Sequence, residues 1–399
     1  MIEPKLRFKA EDGSQFPDWE EKTVGDMTVE LQAYEPLSSG YPLMTSSRTG
    51  MMMQNEFRSK SSTDDSTAIF SVVPRGVATY RHMSDDDIFH FNINNLVDKG
   101  LVSKEYPVFN TKDNYNLYLL VEYLNSSRNF LNFCKAQKKG GTRTRLYFKV
   151  LKDFKLNMPS FSEQQKIAEF LSTIDTVIEK QKETVLAWKE RKKGVMQKLF
   201  SREVRFITDD GNEFPEWDEK RLKNILKEYK EYSAKDGSYE HVSLTKEGVV
   251  PKSERYERDF LVKDTHKKYR ITHLGDICYN PANLKFGVIC RNKYGDGIFS
   301  PIYVTFKVCK DMVPEFVEML VTRRDFIEYA LKYEQGTVYE RMSVSSDDLL
   351  SIKVMVPCIA EQQKIADCLS SLDEVIEKQK ATLAAWEELK KGLLQQMFV

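Results

Sequence analysis

The stretch Glu163–Phe200, EQQKIAEFLSTIDTVIEKQKETVLAWKERKKGVMQKLF, returns at Glu361–Phe398 as EQQKIADCLSSLDEVIEKQKATLAAWEELKKGLLQQMF, with 24 of 38 positions identical. The displacement is 198 residues, and the same displacement carries RFKAEDGSQFPDWEEK (Arg7–Lys22) onto RFITDDGNEFPEWDEK (Arg205–Lys220). All four tryptophans pair in this way, Trp19 with Trp217 and Trp188 with Trp386. The chain is therefore a tandem repeat of two modules, each a variable part followed by a nearly invariant tail.

The tail reads as a long helix. From Ile167 the apolar positions advance alternately by four and three residues through Leu171, Ile174, Ile178, Gln181, Val185, Trp188, Lys192, Val195 and Leu199. The second copy repeats the seam as Ile365, Leu369, Leu372, Ile376, Gln379, Leu383, Trp386, Lys390, Leu393 and Met397, with no glycine before Gly194 or Gly392. A period of 3.5 favours supercoiling against another helix over lying on a sheet. At roughly 1.5 Å per residue each helix is about 57 Å long. Pro159 and Pro357 end the preceding strand, and Ser162 with Gln165 fits a capping box that Ala360 removes from the second copy.

The simplest partner for each helix is its own repeat. A pseudo-twofold arrangement sets equivalent helices antiparallel and their modules at opposite ends. Gln181 and Gln379 then meet at mid-helix and fix the register at some cost in stability. The competing arrangement is two separate helices, each packed on its own module. Lys166, Glu179, Lys180 and Lys182 also recur, as Lys364, Glu377, Lys378 and Lys380. Either the duplication has not diverged there, or both helices show one surface to two copies of one partner.

The intervening parts match sparsely but keep register: GVATYR (Gly76–Arg81) with GDICYN (Gly275–Asn280), and GLVSKEYPVF (Gly100–Phe109) with GIFSPIYVTF (Gly297–Phe306). Strand-like runs at Ile69–Val73, Val77–Arg81, Tyr106–Phe109, Asp276–Tyr279, Gly287–Arg291 and Tyr303–Val308 alternate with helical runs at Leu117–Leu124, Arg128–Lys135 and Pro314–Tyr333. Gly295-Asp296-Gly297 reads as a hairpin turn. The expectation is an α+β protein divided into a first module over 1–157, a helix over 158–200, a second module over 201–356 and a second helix over 357–399.

Composition narrows the function. The 399 residues hold 60 basic and 60 acidic side chains, 41% hydrophobic residues and 30% charged ones, the profile of a folded globular protein with no bulk cationic surface. The first residues, MIEPKLRFKAEDGS, lack an apolar signal core, so a cytoplasmic, membrane-free protein is expected. Six cysteines form no CxxC pair and share no ligand spacing with the five histidines, which argues against a structural zinc site.

Local charge departs from the neutral total. From Arg128 to Lys155 nine basic residues face one acid, with Phe130, Phe133, Tyr147 and Phe148 interleaved; from Lys263 to Lys293 seven face two. Lys and Arg neutralise phosphates, and Arg and Asn can read base edges, so these stretches are candidate DNA-facing loops as well as candidate solvated faces. The candidates are Thr45, Ser46, Ser47 and Arg48 in the polar loop TSSRTGMMMQNEFRSK, with Tyr80, Arg81, Lys138, Lys139, Arg143 and Arg145 in the first module. In the second they are Thr245, Lys246, Tyr279, Asn280, Lys285, Arg291 and Arg341.

Motifs for catalysis fail. Tyr279-Asn280-Pro281-Ala282 lacks the second proline and the aromatic of an amino-methyltransferase motif, and no Gly-rich cofactor loop accompanies it. Pro17-Asp18 with Glu20 and Lys22 is too tightly spaced for a metal-nuclease triad, and no GxxxxGK[ST] phosphate loop occurs.

The FPDWEEK and FPEWDEK openers, the GVATYR and GDICYN elements, the GGTRTR and QGTVYERM stretches, and the EQQKIA helix starts after Pro159 and Pro357 resemble, in this duplicated order, the DNA specificity subunits of type I restriction-modification enzymes. QGTVYERM departs from the family's GTxR-like form by placing Val338-Tyr339-Glu340 before Arg341. The resemblance implies two target-recognition domains and two helices in an antiparallel coiled coil. It implies a noncatalytic subunit that binds double-stranded DNA at a bipartite site, one half per domain. It implies two modification subunits and restriction subunits as partners, with S-adenosylmethionine, ATP and Mg on those partners and no cofactor on this chain. A protein-only scaffold with two ligand-binding modules is the alternative, and a stand-alone methyltransferase ranks last.

Overall fold

The computed structural model describes residues 4–54, 68–138, 140, 142–233, 238–252, 268–335 and 342–398. The chain divides into two compact units, one of residues 1–185 with 378–399 and the other of residues 186–377. The heptad-bearing tails form helices Phe161–Phe200 and Ile359–Met397, and each helix contributes to both units. No helix among the described residues is long and apolar enough to cross a membrane.

In the first unit, a four-stranded antiparallel sheet runs Thr28–Glu30, Val108–Thr111, Ala78–Tyr80, Phe91–Ile93. A three-stranded sheet orders Lys99–Ser103, Ile69–Pro74 and Tyr34–Pro36, and the hairpin Met44–Ser47/Gly50–Met53 joins it through a parallel bridge from Leu43 to Leu101. Helices Leu117–Ser126 and Arg128–Ala136 pack on this frame, with Asn116 and Ser127 as their N-caps. Between them they bury Leu119, Leu120, Leu124 and Phe130.

The second unit repeats the plan. Its four-stranded sheet runs Leu226–Glu228, Val304–Val308, Ile277–Tyr279, Ile289–Arg291. Its five-stranded sheet runs Tyr232–Ser233, Tyr269–Thr272, Gly297–Phe299, Glu240–Leu244, Val249–Pro251, with the Glu240 and Gly297 strands parallel. Gly295-Asp296-Gly297 is thus not a hairpin turn. The strands flanking it belong to different sheets, so the two glycines serve a crossover.

The EQQKIA starts are clamps. Glu163, with no exposed surface, accepts from Arg7 Nη2 at 2.9 Å and from Trp19 Nε1 at 3.1 Å. Glu361 accepts from Arg205 Nη2 and Trp217 Nε1 at the same distances. Gln164 Nε2 donates to the Pro159 carbonyl while its Oε1 accepts from the Asn116 amide, and Gln362 treats Pro357 and Val313 alike. Lys166 Nζ donates to the Lys9 carbonyl and Lys364 Nζ to that of Ile207, so the recurrence of this lysine has an internal cause. The capping box does not form: the helix starts at Phe161, which puts Ser162 inside its first turn.

Within the first unit the two helices run antiparallel, Asp175 meeting Lys390 at 2.7 Å and Gln181 meeting Gln379 at 2.7 Å. Lys390 also reaches Glu122 at 2.8 Å, and Tyr118 donates to Asp175 at 2.5 Å. Burial pulls the Lys390 ammonium down, but Glu122 and Asp175 together outweigh it and hold Lys390 above the usual lysine range. The end of the second helix enters this unit's core, where Leu394, Met397 and Phe398 pack with Ile167 and Leu171. Separate helices, each confined to its own module, are thereby excluded.

Within the second unit Lys192 meets Asp373 at 2.6 Å, and Leu199 and Phe200 at the end of the first helix pack with Ile365, Ala366 and Leu369 at the start of the second. Ile174, Ile178, Val185 and Ile376 are buried along the seam, while Trp188, Leu372, Leu383 and Trp386 are half-buried.

Candidate nucleic-acid interface

In the first module the hairpin turn at Arg48-Thr49 is locked from within. Ser47 Oγ donates to the Gly50 carbonyl at 2.8 Å, and Gly50 adopts φ +121°, a value that suits glycine. Asn92 Nδ2 then fastens the hairpin by donating to Ser46 Oγ at 2.7 Å and to the Ser47 carbonyl at 2.8 Å. Ser46 and Ser47 are committed to this scaffold, Thr45 is half-buried, and Arg48 is left exposed at the tip.

Three consecutive carboxylates gather the basic candidates. Asp85 holds Arg143 at 2.7 Å, Asp86 holds Arg48 at 2.5 Å, and Asp87 holds Lys138 at 3.5 Å and the Thr144 hydroxyl. Burial opposes ionisation of Asp86, yet Ser84 and Arg48 outweigh it and keep its carboxyl below the ordinary range; the Thr144 hydroxyl and Lys138 do the same for Asp87. Exposed pairs of this kind are worth about 0–1 kcal/mol. Each cation can exchange its carboxylate for a phosphate at little cost.

Arg81 and Arg145 are exposed and have no acidic partner among the described residues. They flank buried His82, whose pKa is lowered first by burial and then by these two guanidiniums, against the pull of Glu105. Arg143, Arg145, Tyr147 and Lys149 are exposed while Thr144, Leu146 and Phe148 between them are buried, through the strand Thr144–Arg145 and into the short helix Phe148–Leu151. The sequence placed all four in a candidate DNA-facing stretch and named Arg143 and Arg145 as contacts, but it missed Asp85–Asp87.

Tyr80 is a correction. Its ring is wholly buried, 4.5 Å from that of Phe91, and its hydroxyl donates to the Leu146 carbonyl at 3.0 Å. Tyr279 repeats this in the second module, stacked 5.7 Å from Phe306 and donating to the Val344 carbonyl at 3.1 Å. Neither touches solvent, so both are core residues. Asn280, 5% exposed, accepts from the Ala282 amide as the cap of the 3-10 helix Pro281–Phe286 and is not free to read a base. Arg291 is held by Glu315 and Glu318 of helix Pro314–Thr322, each at 3.0 Å, and serves the module's interior charge balance.

The second module nonetheless offers an equivalent tip. Thr245 Oγ1 donates to the Gly248 carbonyl at 3.0 Å, as Ser47 does to Gly50, and leaves Lys246 exposed where Arg48 stands in the first. Lys285 is exposed beside the Phe286 ring, 5.3 Å from its centroid. Lys139 and Arg341 lie outside the described residues, as does Gly141 of the GGTRTR stretch. Among the described residues no His, Cys, Asp and Glu side chains cluster as a metal site.

The chain is similar to known proteins in sequence and in fold. The model of the type I restriction modification DNA specificity domain matches residues 89–187 and 314–385. A Methanocaldococcus jannaschii protein assigned as the MjaX type I restriction enzyme specificity subunit is 24% identical over 351 residues, 80% of this chain and 78% of the relative. The MjaVIII type I restriction enzyme specificity subunit of the same organism is 26% identical over 294 residues, 66% of this chain and 65% of the relative. The crystal structure of the type I restriction-modification S subunit from M. genitalium superposes with a TM-score of 0.55 at 15% identity, covering 100% of this chain and 99% of that one. The chain is therefore similar, in both of its modules, to the DNA specificity subunits of type I restriction-modification enzymes. The proteins it resembles are themselves specificity subunits, and the M. genitalium structure matches it along its whole length.

Proposed function

We propose that this chain is the noncatalytic, sequence-reading subunit of a cytoplasmic type I restriction-modification complex. Each target-recognition domain reads one half of a bipartite site in double-stranded DNA. The helix pair sets the unread spacer and docks two modification subunits, and restriction subunits complete the assembly. S-adenosylmethionine, ATP and Mg belong to those partners. Phosphate contacts from Arg48, Arg81, Arg143, Arg145, Lys246 and Lys285 position the modules, and side chains at the loop tips choose the bases.

The observation that carries this reading is the contrast between identical clamps and unlike tips. Arg7, Trp19 and Glu163 recur bond for bond as Arg205, Trp217 and Glu361, whereas Arg48 is matched by Lys246. Selection that holds the frame and frees the tips suits two heads reading different half-sites. The test is to map methylated adenines in DNA exposed to the assembled enzyme. A bipartite motif is expected, and four residues inserted beside Gln181 should alter its spacer. Methylation at a continuous motif, or an unchanged spacer, would overturn the reading.

A further inference from the structure

A cleft of about 450 Å³ opens in the first module between the strand Tyr34–Pro36 and the segment Tyr147–Lys149, with Glu30, Tyr34, Lys104, Glu105, Tyr147 and Lys149 on its walls. Its aromatic surfaces are unusually prepared. The Tyr147 ring lies 5.6 Å from that of His82 at an interplanar angle of 26°, so one face is braced by a buried imidazole while the side chain is 52% exposed. Lys104 Nζ stands 5.7 Å from the centroid of the Tyr34 ring, itself 47% exposed. Lys149 is exposed and has no ion-pair partner among the described residues. His82 Nε2 lies 3.5 Å from the exposed carboxylate of Glu105.

Exposed rings next to lysines suit a planar aromatic ligand that carries a phosphate, because stacking contributes about 1–3 kcal/mol per base and the ammonium groups match the anion. The carboxylates of Glu30 and Glu105 accept hydrogen bonds only, which favours a base whose exocyclic amino group offers two donor hydrogens over thymine, whose single ring N–H lies between two carbonyl oxygens that a carboxylate repels. The second module lacks the set. By the alignment of the repeats Tyr147, Lys149 and Lys104 become Ser345, Asp347 and Pro301. Tyr232, the counterpart of Tyr34, has the guanidinium of buried Arg270 5.5 Å from its ring.

We propose that this cleft is a binding site for one nucleoside monophosphate unit bearing an amino base, with the base stacked on Tyr147 and the phosphate on Lys104 and Lys149. The unit comes either as a free nucleotide or as a nucleotide swung out of a DNA strand, and the second source rests on the DNA-reading function. The full chain is titrated calorimetrically with AMP and with TMP. Its complex with the modification subunits is titrated with a labelled duplex carrying one unpaired adenine and with the same duplex fully paired.

AMP should saturate one site and bind at least about fivefold more tightly than TMP. Tyr147→Ala and Lys149→Glu should each weaken AMP by about tenfold, while Tyr147→Phe keeps the affinity. Preference for the unpaired adenine assigns the site to an extruded nucleotide, and AMP binding without that preference assigns it to a free one. Absence of both, or AMP binding indifferent to Tyr147→Ala, overturns the proposal. Retained salt-dependent binding of the paired duplex in that case leaves the DNA-reading function standing, and its loss with AMP binding intact removes that function alone.

Discussion

Gln181 donates its side-chain amide to Oε1 of Gln379 at 2.7 Å and to the main-chain carbonyl of the same residue at 3.0 Å, 198 residues away in sequence. Equivalent residues of the two repeats thus bond each other at the middle of a seam whose other polar members are Lys192 and Lys390. The pair sets one register, since a shift of either helix leaves a half-buried amide facing leucine or isoleucine.

Gln181→Leu alone is expected to cost about 1 kcal/mol, because Gln379 keeps its amide with one partner gone. The double variant with Gln379→Leu should recover that loss, as polar seam residues give register at the expense of stability. Urea midpoints of the two singles and the double form the cycle that checks this. Additive losses would mean that the amides do not interact.

Removing Glu163 tests the clamp. Arg7 keeps part of its water, so Glu163→Ala should destabilise by about 2–3 kcal/mol, short of the ~3–5 kcal/mol for breaking a fully buried pair. Glu361→Ala should match it within about 1 kcal/mol, since the two clamps share their geometry. Unfolding by urea monitored through tryptophan fluorescence reads both. A silent Glu163→Ala would reduce the clamp to decoration.

Phe398 packs in the first unit, its ring 5.0 Å from Tyr123 and 6.5 Å from Trp19. Phe398→Ala should cost about 3 kcal/mol and deprotect amides of helix Leu117–Ser126 in hydrogen exchange, while helix Pro314–Thr322 keeps its protection. Equal deprotection of both helices would contradict the assignment of this residue to one core.

Much of this fold was legible because a duplicated heptad pattern reports two helices and their partner at once. Strands such as Ala78–Tyr80 and Ile277–Tyr279 were found too, but being buried on every residue they show no alternation, and Tyr80 and Tyr279 passed for surface readers. The fate of a cation was the illegible part. Arg291 meets acids on a helix that follows it by more than 20 residues, and Arg7 meets one 156 residues on. Charge runs count residues along the chain, whereas ion pairs are made across it.

Two histidines should give opposite pH responses. Burial and then Arg145 and Arg81 lower the pKa of His82, so its contribution is present above the unfolded value near ~6.5 and is lost as pH falls below it. Burial also lowers His273, but its bonds to Glu231 and Asp296 outweigh that and raise it. Its contribution is present below ~6.5 and is lost as pH rises through the higher folded value. Between pH 8 and 5.5, His82→Gln should therefore flatten the acid-side loss of stability, and the deficit of His273→Gln should grow. Identical pH dependence in all three proteins would refute both assignments.

The cations of the first module divide by partner, and that division predicts how each affects DNA. Arg145 has no carboxylate partner among the described residues, so Arg145→Ala should weaken DNA binding of the assembled enzyme across all sequences and reduce the salt slope by about 0.9, the value for one phosphate. Arg48 must first leave Asp86, so Asp86→Ala should tighten binding at low salt while Arg48→Ala weakens it. Arg291→Ala should instead lower stability and leave the salt slope unchanged, because its two acids hold it inside the module. Fluorescence anisotropy at 50–200 mM salt, about the range over which phosphate contacts dominate, separates the three cases. A salt slope moved by Arg291→Ala and untouched by Arg145→Ala would reverse the division between structural and DNA-facing arginines.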